Sequence, residues 1–112
     1  MAILLIRKRV KREEIQEMLK ELEDYVKAAV DISREILAGG GRLHADCESL
    51  LLQEGSKQEN IWGADWIPEK REVRYEAMIN VAPRRGNRSM VIQDPAIRSK
   101  VESVIRKLLD IE

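Results

Sequence analysis

The sequence predicts a single α+β domain: a mostly antiparallel sheet packed by a long N-terminal helix and a shorter C-terminal one. Three observations carry this. Residues 72–82 alternate apolar and polar like a half-covered strand. Asp94-Pro95 opens a segment with helical apolar spacing. Strand-like and helix-like stretches follow one another without the regular βα alternation of a parallel sheet. At 112 residues the chain holds one core, spanning 1–112 as one domain. Aromatics are only 4%, with no Phe, so that core must be aliphatic.

Taken in order, residues 2–7 form an apolar run ending at Arg7, Lys8 and Arg9, which reads as a short buried strand. Residues 11–38 read as a long helix. Ile15, Met18, Leu19, Leu22, Val26, Ala29, Val30, Ser33, Ile36 and Leu37 recur at three- and four-residue spacing. Glu13, Glu14 and Glu17 suit its positive end, and Gly39, Gly40 and Gly41 suit its stop. Such a helix would span roughly 40 Å at 1.5 Å per residue. It must kink, overhang or meet a second copy of itself, which is the reason to expect a homo-oligomer.

Residues 42–53 read as a strand that places His44, Asp46 and Glu48 on one face and Cys47 on the other. Residues 54–57 form a turn, and residues 61–67 a second strand in which Gly63 signals a bulge or close contact. Pro68, Glu69 and Lys70 break it before the strand at 72–82. A loop follows at 83–87, with Gly86-Asn87 at its tip, then an irregular stretch to Gln93. The last helix starts at the Asp94 cap and buries Ile97, Val101, Val104, Ile105 and Leu108. Both helices are expected on one face of the sheet.

Nearly all residues able to carry chemistry lie between 39 and 89: His44, Asp46, Glu48, Gln58, Trp62, Trp66, Asn80, Arg84, Arg85, Asn87, Arg88 and Ser89. His44, Asp46 and Glu48 on one strand face could hold a divalent cation, or act as a base with orienting groups. The plainer reading, a solvated polar face, is favoured, and no cofactor is the expectation. Arg84, Arg85, Asn87, Arg88 and Ser89 surround a glycine turn that could cradle an anion through bidentate guanidiniums and backbone N–H groups. Here a solvated basic turn is the alternative. The spacing is not that of a P-loop.

Trp62 could stack a ligand beside Trp66, although completing the core is the simpler role. Cys47 reads as a small core residue. As the single cysteine it forms no internal disulfide and fits a cytoplasmic protein. Zero net charge and a pI near 6.6 weigh against a dedicated nucleic-acid binder. No stretch is long enough to span a membrane.

Gly39-Gly40-Gly41, Leu43-His44-Ala45-Asp46, Glu48, Leu50-Leu51-Leu52, Gly55-Ser56, Gln58 and Trp62-Gly63-Ala64 form one set of motifs. Ile79-Asn80-Val81, Pro83 and Gly86-Asn87-Arg88-Ser89 continue it. In these the chain resembles a small prokaryotic family of uncharacterised proteins. The resemblance covers nearly the whole chain and implies a free-standing bacterial or archaeal domain. It brings no catalytic residue or cofactor.

The functional expectation is a binding or regulatory module whose arginine loop contacts an anionic ligand or partner, such as an anionic small molecule or RNA. The alternative is a small ribonuclease-like phosphodiester hydrolase. It would use His44, Asp46 and Glu48 for catalysis and the arginines as phosphate clamps.

Overall fold

The computed structural model describes residues 3–111. Ala2, the expected start of the first strand, lies outside them. Five antiparallel strands form one sheet in the order β1-β3-β2-β4-β5. They are β1 (Leu4–Ile6), β2 (Val26–Asp31), β3 (Ile36–Gly39), β4 (Ile61–Ile67) and β5 (Glu72–Arg74). The helices are α1 (Arg12–Met18), α2 (His44–Gln53) and α3 (Pro95–Leu109).

The expected helix over 11–38 is corrected. Only its first two turns are helical, and α3, with 15 residues, is the longest helix. Glu23 adopts φ 67°, which a helix cannot continue through. Beyond it, β2 and β3 form a hairpin in which Asp31 faces Ile36. The buried Asp31 carboxylate closes its turn. Oδ1 accepts the N–H groups of Ser33 at 2.9 Å and Arg34 at 3.0 Å, while Oδ2 accepts the Ser56 hydroxyl at 2.6 Å. Val26, Ala28, Ala29 and Val30 are all buried, because the sheet is covered on both faces. A strand buried on both sides loses its alternation, and its apolar run then resembles a helix stripe. The overlong helix that motivated a homo-oligomer therefore does not exist.

The expected strand over 42–53 is also corrected: it is α2. Its buried residues, His44, Cys47 and Leu51, fall at three- and four-residue spacing. The stretch holds no Val, Ile or Thr, the residues that favour strands. Similarly, the strand expected over 72–82 ends at Arg74, and a 3-10 turn occupies Met78–Asn80.

The helices lie on both faces rather than one. On the first face α1 and α3 bury Ile15, Met18, Val101, Val104, Ile105 and Leu108 against Val26, Val30, Leu37 and Trp66. On the second, α2 brings Cys47 and Leu51 onto Ala29, Ala38 and Ile61, with Ile79 packed beside them. The last helix matches expectation. The Asp94 carboxylate accepts the Ala96 N–H at 2.8 Å, and Pro95 occupies the first turn.

At the far end of α3, Asp110 receives a two-pronged bond from Arg71, at 2.9 and 3.1 Å, and a third contact from Arg106 at 3.3 Å. The Arg71 hydrogen bond holds the Asp110 carboxyl below its usual range, against the opposing effect of burial. A carboxyl depressed in the folded state adds stability above its unfolded pKa, and that stability is lost as pH falls through the folded value. Urea titrations of Asp110→Asn against the parent protein should show a deficit of about 1 kcal/mol at neutral pH. The deficit should close as pH drops below about 4. A pH-independent deficit would contradict the ion-pair account.

Candidate functional site

Past Arg74 the chain leaves β5, and the middle of β4 loses its neighbouring strand on that side. The Asn80 side chain takes over. Its Oδ1 accepts the Gly63 N–H at 2.8 Å, and its Nδ2 donates to the Gly63 carbonyl at 3.0 Å. A fully buried carboxamide thus imitates a strand's peptide group. The same Nδ2 donates to the Met90 carbonyl at 3.0 Å, tying in the return of the loop. The close approach requires a glycine: a Cβ on Gly63 would stand 2.5 Å from the Ala77 Cβ. The expected close contact at Gly63 is this one.

Asn87 extends the brace. Its Nδ2 donates to the carbonyls of Asn80 and Ser89 at 2.8 Å and of Val91 at 3.1 Å, and its Oδ1 accepts the Gln93 N–H at 2.8 Å. The chain between them makes a 3-10 turn at Pro83–Arg85 and reverses at Gly86, φ 78°. The strand-like pairings Ala82 with Asn87 and Glu76 with Val91 close the loop into a compact unit.

Three arginines extend from this unit, with different fates. The Arg85 guanidinium lies 4.0 Å over the Trp62 ring. It donates to the carbonyls of Ile61 at 2.9 Å and Glu59 at 3.2 Å. Burial lowers its pKa and nearby Glu48 opposes that, yet a guanidinium stays charged. Arg84 and Arg88 are exposed, and their side chains make no hydrogen bond or ion pair among the described residues. Trp62 is 2% exposed and cannot receive a ligand's ring. The Ser89 hydroxyl accepts the Val91 N–H at 3.0 Å. Of the residues expected to bind, Arg84 and Arg88 face solvent, whereas Trp62, Arg85, Asn87 and Ser89 are engaged within the fold. Beside Arg84 runs a groove of about 630 Å³ lined by Gln58, Glu59, Ile79, Val81 and Pro83.

His44, Asp46 and Glu48 do not share a face, because α2 replaces the expected strand. His44 is buried with Nε2 2.8 Å from Asp65 Oδ1 and 3.1 Å from the Ala64 carbonyl. Both are acceptors when the aspartate is ionised, so Nε2 carries the proton and donates. Asp46 points to solvent. Glu48, in the middle of α2, accepts from Gln58 Nε2 at 3.3 Å. Among the described residues no three His, Cys, Asp or Glu side chains come within reach of one metal ion.

Cys47 is buried as expected, but it lies one turn from His44 on the inner side of α2 and not on an opposite face. Burial, helped by Asp46, pushes its thiol up to about 12, out of nucleophilic range. The sequence reading missed Asp65, which orients His44, and the bracing roles of Asn80 and Asn87. Gly63 was the one local signal of that brace.

Fold and surface together define a small α+β domain, sheathed on both faces of its sheet, that presents a braced basic loop. The chain belongs to the family described as "Protein of unknown function (DUF5674)", whose model matches residues 4–108. No curated protein and no solved structure matches it.

Replacing Asn80 with Ala strands the Gly63 N–H in a buried setting. Urea denaturation should show a loss on the order of 2–4 kcal/mol. Arg84→Ala should stay within about 0.5 kcal/mol. An Asn80→Ala variant as stable as Arg84→Ala would contradict the bracing role.

Proposed function

We propose that this domain is a non-catalytic binding module whose working surface is the loop at 76–93, where Arg84 and Arg88 receive an anionic group. The observation that carries the reading is the contrast among the three arginines. Arg85 is engaged by Trp62 and backbone carbonyls, while Arg84 and Arg88 stand exposed with no partner among the described residues. They are held on a backbone fixed by two buried asparagines. A rigid loop loses little entropy when it binds, so its charges are preorganised for a ligand. Guanidiniums favour carboxylates and phosphates because their paired N–H groups match two oxygens at once.

The same geometry gives little support to hydrolysis. The sole histidine is buried and donates to Asp65 and Ala64, and the thiol is buried and protonated. The proposal keeps the domain in the cytoplasm, where a lone reduced cysteine is stable.

Tripolyphosphate is a suitable probe because it is anionic and lacks apolar surface. Titrated into ¹⁵N-labelled protein at low salt, it should shift amides between 83 and 89. The shifts should vanish in the Arg84→Ala/Arg88→Ala variant and weaken with added salt. Equal responses from parent and variant would overturn the reading.

A further inference from the structure

The arginines are only half of this surface. Met78 is 73% exposed and Val81 46%, and Met90 and Val91 are also exposed. Among the described residues these four are most of the large apolar side chains left in water. They belong to one unit, since Ala77 N–H donates to the Met90 carbonyl at 2.9 Å and Glu76 pairs with Val91. Val81 also lines the groove, beside Ile79, Pro83 and Arg84. Clustered apolar exposure next to charge marks an interaction site more often than an ordinary surface. Methionine is well suited to such a role because its flexible thioether adapts to irregular apolar shapes.

The second half of the loop is basic, whereas Glu76 in its first half and Glu59 on the groove wall are acidic. Residues 82–93 hold three arginines and no Asp or Glu, in a chain whose net charge is zero. An occupant must therefore bring carboxylates or phosphates together with apolar groups. A single-stranded nucleic acid would gain most of its non-ionic affinity by stacking bases on aromatic rings. Both tryptophans are buried, and Tyr75 is half-buried with Arg98 over its ring at 4.6 Å. Glu59 on the groove wall would also repel a continuous phosphate backbone. A peptide avoids both problems, because it can place acids at Arg84 and Arg88 and apolar side chains over Val81 and Met78.

Building on the anion-binding reading, we infer that the ligand of this surface is an acidic amphipathic segment of another protein, with its carboxylates on Arg84 and Arg88 and its apolar side chains in the groove at Ile79, Val81 and Pro83.

The test pans a random peptide library against the whole chain. Two controls are used, Met78→Ser/Val81→Ser and Arg84→Glu/Arg88→Glu, each checked for folding by near-UV circular dichroism. All four positions are exposed, so both variants should fold. Enriched peptides should interleave Asp or Glu with Leu, Ile or Phe. By fluorescence anisotropy, each double substitution should weaken a synthesised winner about tenfold or more. Failure to enrich any peptide sensitive to both pairs overturns the inference.

Two outcomes separate this from the underlying reading. If no such peptide is enriched while tripolyphosphate still binds through Arg84 and Arg88, or a random RNA pool is retained through them, anion binding stands and only the peptide partner falls. If neither anion nor peptide distinguishes the arginine variants, both fall.

Discussion

Asn80 stands where a strand is missing. The sheet needs a hydrogen-bonding neighbour along the outer side of β4, and β5 supplies one only as far as Arg74. A buried N–H and C=O without partners at Gly63 would be costly. One carboxamide satisfies both, and the chain can then leave the sheet and return as a loop. The glycine is the reciprocal condition, because only a residue without Cβ lets Ala77 and Ile79 pass so close over the strand.

Much of the remaining surface follows from that substitution of side chain for strand. With residues 75–80 held across β4, Ile79 completes the small core under α2. Asn87 binds the Asn80 carbonyl and fixes the far side of the loop. Arg85 falls onto Trp62 and closes the sheet end, so its charge is held inward while Arg84 and Arg88 are directed to solvent. The exposed Met78 and Val81 flank the same brace. The rigidity of the surface and its mixture of charge with apolar groups thus have one physical origin.

What the sequence revealed depended on how locally each feature is encoded. Asp94-Pro95 and the spacing from Ile97 to Leu108 gave α3 directly, because caps and amphipathic faces are local. The strand at 61–67 and the importance of Gly63 were legible for the same reason. The β2–β3 hairpin was not, since burial on both faces erased its period, and the Asp31 turn that divides it depends on Ser56 from far along the chain. For α2, a chance alternation of Leu43, Ala45 and Cys47 outweighed the absence of β-branched residues. A strand would put His44, Asp46 and Glu48 on one face, whereas in α2 Asp46 turns away from the other two. The turn at 83–87 is legible because Pro83 and Gly86 mark it locally. Which arginine would turn inward was set by Trp62 and three-dimensional carbonyl positions that no spacing rule reports.

Hydrogen exchange at Gly63 tests the central claim most directly. Its amide points to the outer side of β4 beyond the end of β5, so its protection depends on Asn80. If the carboxamide substitutes for a strand, the Gly63 N–H and the Asn80 side-chain amide protons should exchange only through global unfolding, as slowly as Val30 and Ala64 in the sheet core. Exchange at the rate of the exposed turn around Gly86 would show that the brace opens freely, and the account of a preorganised surface would be wrong.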